Sequence, residues 1–148
     1  MKVKLLMMVI AITVCGGALS ANGADKKHLG GPKGGRLLET SDAKAEFFLE
    51  KDRTATITFY DRQLKPTAAG QQAVTVIANT KDGKKTIEFE KKADVLVSKS
   101  KLPEGEGYDI VVQVKSRADA KPQNFRFKLD TYTCAGCKRA EYACVCDE

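Results

Sequence analysis

Apolar and polar side chains alternate along most of this chain with a period of two. Ala55, Ile57 and Phe59 alternate with Thr54, Thr56, Thr58 and Tyr60, and Val74, Val76 and Ala78 keep the same rhythm. Ile87 and Phe89, Val95 and Val97, and Ile110, Val112 and Val114 do likewise, before Phe125, Phe127 and Leu129 close the series against Arg126 and Lys128. Successive side chains of a strand point to opposite faces, so each stretch predicts a half-buried antiparallel strand. Turn residues separate the runs. Asp82-Gly83 suits a tight hairpin, because both residues tolerate positive φ. Lys51-Asp52 turns Lys44–Glu50 into Thr54–Asp61, and longer connections carry Pro66 with Gly70 and Pro103 with Gly105 and Gly107. Ala118–Pro122 makes a polar gap before the last strand. The pattern predicts an all-β fold, an immunoglobulin-like β-sandwich of seven or eight antiparallel strands with a short C-terminal Cys-rich tail. An open barrel is the alternative that spacing leaves standing.

The first two dozen residues break the rhythm. Lys2 and Lys4 precede a mostly apolar run, Leu5–Val14, and small residues follow in Gly16-Gly17-Ala18 and onward to Ala24. The run is shorter than the ~20 apolar residues a membrane span needs and matches a secretory signal. Ser20, Gly23 and Ala24 all suit cleavage. Cys15 does not complete a lipobox, because Val14 stands where a small residue is wanted. The expected destination is periplasmic or secreted, an oxidising space, with no membrane span in the mature chain. The expected organisation is a signal peptide over 1–24, a flexible glycine-rich leader over 25–36, the sandwich over 37–130 and a four-cysteine tail over 131–148.

Charge changes this picture little. The chain carries 25 Lys and Arg against 19 Asp and Glu, a net charge of +6, of which Lys2 and Lys4 supply two. The remaining basic residues are interleaved with acids, as in Glu88-Phe89-Glu90-Lys91-Lys92, so they read as a solvated surface and not as a nucleic-acid footprint. No catalytic set assembles either. His28 is the only histidine, and Glu88 and Glu90 share one strand face as exposed residues do. The expectation is a protein that is not an enzyme.

The candidate chemistry lies at the C-terminal end, in Cys134-x-x-Cys137 and Cys144-x-Cys146. Two cysteines two residues apart can point both sulfurs at one ion, with Ala135-Gly136 supplying the turn and Gly136 suited to positive φ. Six residues, Lys138 to Ala143, let the chain loop back so that Cys144 and Cys146 complete a tetrahedron. Four thiolates close the coordination sphere of Zn²⁺, and thiolates also favour Cu(I). Lys138 and Arg139 stand beside the cluster as offsetting charge. His28 is a weaker metal-ligand candidate. The oxidising compartment raises a second reading, two disulfides among the four cysteines, for which three pairings exist. A Cys144–Cys146 bridge would close a strained small ring. Thiol–disulfide catalysis is a third, less favoured because Cys-x-x-Cys does not here open a helix of an α/β unit. Glu141, Asp147 and Glu148 are expected to face solvent.

Two segments carry a resemblance. Ile57-Thr58-Phe59-Tyr60-Asp61 with Leu64-Lys65-Pro66, and Leu102-Pro103-Glu104-Gly105 before Tyr108-Asp109-Ile110-Val111-Val112, resemble strands and turns of small periplasmic immunoglobulin-like domains. His28, Gly31, Pro32, Gly34, Gly35, Arg36, Leu37 and Leu38 match a His-Gly-Pro-x-Gly-Gly-Arg-Leu-Leu segment, from which Leu29 and an extra glycine depart. That segment is similar to one in small periplasmic accessory proteins of bacterial heavy-metal efflux systems. The chain lacks room for the long helical hairpin and lipoyl-like domain of the adaptor subunits. The resemblance implies metal binding through the cysteine cluster in heavy-metal efflux or homeostasis, with an efflux component as partner. The alternative is a non-catalytic structural or interaction sandwich whose tail is stapled by zinc or by disulfides.

Overall fold

The computed structural model describes residues 29–146. The expected signal peptide, Cys15, His28, Asp147 and Glu148 lie outside the described residues.

Nine strands form: β1 (Arg36–Glu39), β2 (Lys44–Leu49), β3 (Ala55–Tyr60), β4 (Pro66–Thr67), β5 (Ala73–Thr80), β6 (Gly83–Lys92), β7 (Val95–Ser98), β8 (Tyr108–Lys115) and β9 (Gln123–Leu129). Every predicted strand is present. The count exceeds the expectation because two strands lie outside the predicted runs: β1, which begins at Arg36 inside the expected leader, and β4, a two-residue strip along β3. All pairings are antiparallel, in the order β1-β2-β3-β7-β6-β5-β8-β9.

The long strand β6 makes this one path fold into two layers. Its first half, Gly83–Glu88, pairs with β5, and its second half, Phe89–Lys92, pairs with β7. The strand thus belongs to both layers, and the molecule is a sandwich close to a barrel. Leu38, Phe47, Ile57 and Phe59 project inward from one layer and meet Val76, Ile110, Val112 and Leu129 from the other. The Phe47 and Phe127 rings meet edge to face across the layers, centroids 5.6 Å apart. Burial of each such side chain is worth roughly 1.5–3 kcal/mol, which holds the layers together.

The open side of the near-barrel lies between β1–β2 and β9. Residues after β9 fill it. Tyr142 sits in a 3₁₀ turn, Glu141–Ala143, and its ring stacks on Phe127 and meets Phe47 edge-on at 5.7 Å. Tyr142 and Ala143 are therefore members of the main core. Arg36 lines the same opening, its guanidinium 4.6 Å from the centre of the Phe127 ring.

Three details depart from the sequence reading. In β7 the faces are exchanged: Leu96 and Ser98 are buried, whereas Val95 and Val97, expected on the apolar face, are only half-buried. The alternation in β3 predicts one polar, solvated face, yet all six of its residues are buried. Its outward Tyr60 is covered because the glycine-rich segment folds over that face. At the β5–β6 hairpin only Gly83 takes positive φ, at 113°, and Asp82 does not.

Candidate metal centre

The candidate metal centre is built by one small hairpin and the extended segment that crosses it. Thr133 and Ala140 form an isolated antiparallel bridge, and Glu141 N–H donates to Tyr132 O at 2.9 Å. Cys134 N–H donates to Arg139 O at 2.8 Å, and Lys138 N–H to Cys134 O at 3.0 Å. These bonds curl the hairpin tip into a knuckle that turns the Cys134 and Cys137 sulfurs to one side. The left-handed residue of that knuckle is Lys138, with φ 61°, not the expected Gly136. Gly136 is needed for space instead. A Cβ there would lie 2.7 Å from Cys146 Sγ.

The 3₁₀ turn then reverses the chain, Cys144 N–H donating to Glu141 O at 3.0 Å, and brings Cys144 and Cys146 over the knuckle. The four sulfurs lie within 4.8 Å of one another. Cys134 Sγ is 3.2 Å from Cys144 Sγ and 3.7 Å from Cys146 Sγ, and Cys137 Sγ is 3.6 Å from Cys144 Sγ. A tetrahedral thiolate site with metal–sulfur bonds of ~2.3 Å has sulfur–sulfur edges of about 3.8 Å. The four cysteines are unbridged and stand near that spacing, so they are positioned to bind a metal ion. Three are half-buried and Cys146 is exposed.

The local field is uneven. The Val145 N–H, then the Arg139 N–H, bring the Cys137 thiol down to about 6. The Cys146 N–H pulls on Cys144, but the Cys134 thiol, burial and the other two sulfurs outweigh it and push Cys144 up to about 12. Cys146 is raised as well, chiefly by its contact with Cys134. Crowded sulfurs repel a second negative charge, so the cluster ionises first where backbone N–H groups point. A cation among them would relieve that repulsion.

Arg139 is placed otherwise than the sequence suggests. Its guanidinium turns away to the glycine-rich segment, where Nη1 donates to Gly31 O at 3.0 Å and Gly35 O at 3.4 Å. That segment, expected to be a flexible leader, forms a closed turn from Leu29 onward. Gly31 N–H donates to Gly35 O, Gly34 N–H to Gly31 O and Leu37 N–H to Leu29 O. Its inner side is held by Glu46, which is fully buried. The Glu46 carboxylate accepts from Gly35 N–H at 2.8 Å, Lys33 N–H at 2.9 Å and the Tyr60 hydroxyl at 2.7 Å. Burial, then that hydrogen bond to Glu46, raises the Tyr60 phenol far above its usual range.

Sequence reasoning missed Glu46, Tyr142, Arg36 and Arg139 as the residues that seat the centre. Glu46 occupies an ordinary polar slot in a strand pattern, and only the glycines at 31 and 35 hinted that something must approach closely. Arg53 was missed for the same kind of reason. It takes φ 68° in the β2–β3 turn, and its guanidinium donates to Leu102 O, Pro103 O, Gly105 O and the Tyr108 hydroxyl, tying down the loop before β8.

Comparison with protein-family models, with curated proteins and with solved structures returned no match.

Proposed function

We propose that this is a periplasmic or secreted, non-catalytic metal-binding protein that holds one Zn²⁺ or Cu(I) ion on Cys134, Cys137, Cys144 and Cys146. The observation that carries the reading is the convergence of four sulfurs within 4.8 Å from two sequence-separated pairs. Four protein thiolates leave no open position for a reacting water, so the ion serves binding and not hydrolysis. The ion is part of the fold in this reading, because Tyr142 lies between the ligand pairs and plugs the core. Among the described residues no helix is long and apolar enough to cross a membrane.

A second reading is a carrier in heavy-metal efflux or homeostasis that delivers the ion to an efflux component. The exposure of Cys146 favours it, since a receiving thiolate could attack from that side. The glycine-rich resemblance also favours it. Exchangeability separates the two, because a carrier yields its ion to a competing ligand under mild conditions and a staple keeps it until the segment unfolds.

The test is native mass spectrometry of the mature protein taken from the periplasm with its thiols trapped at harvest. A mass increase of one zinc or copper ion, lost in the Cys134→Ser/Cys137→Ser variant, is expected. A metal-free mass lower by four hydrogens would replace the metal centre with two disulfides.

A further inference from the structure

The loop between the second and third candidate ligands is six residues long, Lys138 to Ala143, and three of the six, Arg139, Tyr142 and Ala143, reach into the body of the protein. Arg139 caps the glycine-rich turn through the carbonyls of Gly31 and Gly35. Gly30 leaves room for it, since a Cβ there would lie 2.6 Å from the Arg139 guanidinium carbon. Tyr142 fills the gap between β2 and β9, and its hydroxyl accepts the Leu49 N–H at 3.0 Å. Arg36 donates back to the Tyr142 carbonyl at 3.2 Å. The turn is thus gripped from within by Glu46 and from outside by Arg139, and the seam of the near-barrel is closed by one tyrosine.

We propose that the ion acts as a latch: bound, it locks Tyr142 into the seam and Arg139 onto the glycine-rich turn, and its loss releases both. The inference rests on the metal-binding reading above. Its physical basis is loop closure. Joining Cys137 and Cys144 through one ion removes the freedom that the intervening six residues would gain on leaving their seats. Without the ion, Arg139, Tyr142 and the small Ala143 hold the segment, through a handful of hydrogen bonds, one ring and one methyl group. The chemistry at Cys134–Cys146 is thereby transmitted to the segment preceding β1 on the other side of the sequence.

Three backbone amides report the latch separately from metal binding. Leu49 N–H reports Tyr142, and the Lys33 and Gly35 N–H groups, bonded to Glu46, report the turn. Hydrogen exchange is followed on the mature full chain, reduced, with added Zn²⁺, with added Cu(I) and with chelator, while native mass spectrometry scores metal uptake on the same samples. Expected is metal uptake with roughly tenfold or greater slowing of exchange at all three amides. In Arg139→Leu the slowing disappears at Lys33 and Gly35 but persists at Leu49, and the ion is still bound. Uptake of the ion with unchanged exchange at the three amides would overturn the latch and leave the metal centre standing. Failure of both ions to bind the reduced chain would overturn the metal reading and the latch together. Should Arg139→Leu not fold, the wild-type comparison with and without ion decides alone.

Discussion

At the scale of single residues, space and backbone hand decide more than polarity does. A Cβ on Gly31 would lie 2.1 Å from Glu46 Cδ, and one on Gly35 would lie 2.2 Å from the Phe47 carbonyl oxygen. At Gly70 the nearest atom would be 3.4 Å away, the end of the Gln72 side chain. Gly31→Ala and Gly35→Ala are therefore expected to lose about 1–3 kcal/mol each, as overpacked sites do, and Gly70→Ala close to nothing. Urea unfolding midpoints check this, and equal midpoints for all three would refute the buried-turn account. The knuckle gives a contrast of the same kind. Lys138 pays for its left-handed backbone, so Lys138→Gly should keep metal binding and stabilise the loaded protein by about 1 kcal/mol. Gly136→Ala should weaken metal binding, because the new methyl meets Cys146 Sγ. Chelator competition on the two variants measures both effects.

At the scale of elements, the 3₁₀ turn behaves as a missing stave of the barrel. It contributes no strand, yet its ring occupies the place where β1–β2 and β9 fail to pair. Tyr142→Ala removes a core ring and is expected to cost about 3–5 kcal/mol. Tyr142→Phe keeps the ring and loses only the acceptor for Leu49 N–H, costing about 1 kcal/mol. Equilibrium denaturation of the two variants tests the division, and a Tyr142→Ala change no larger than that of Tyr142→Phe would show that the ring does not hold the seam. Linkage carries the effect to the metal. If the docked segment is the form that binds the ion, Tyr142→Ala must also weaken affinity. The turn between β2 and β3 shows the same economy, since Arg53 turns the chain and holds the loop before β8 with one side chain.

At the scale of the whole molecule, pH couples to metal status with a definite sign. An ion requires thiolates, so binding releases the protons that the free cluster holds. In the metal-free chain Cys137 sits at about 6, whereas Cys144 is pushed up to about 12. Near neutrality Cys137 is already ionised, and the ion displaces the protons that Cys144 and Cys146 hold. Below about 6, Cys137 holds a proton too, and the ion must displace one more. Affinity is expected to fall with acid throughout and more steeply below that point. Chelator competition between about pH 5 and pH 8, corrected for the chelator's own protonation, reads the slope. A constant slope would contradict the early ionisation of Cys137.

Much of this protein was legible along the chain. The two-residue period placed the strands, because one face of each must be apolar to enter a core whatever its neighbours turn out to be. The cysteine spacing named the four candidate ligands, because short separations force sulfurs together before any tertiary contact forms. The sequence pattern did not reveal how β6 would be shared between layers, since the same alternation serves either partner strand. Nor could it place Tyr142 in the core, Glu46 beneath the glycines or Arg139 upon them. Those positions depend on contacts between residues up to 108 apart in sequence. Local patterns determine which face of an element is apolar, whereas only the closed fold determines what fills the gap that two sheet edges leave.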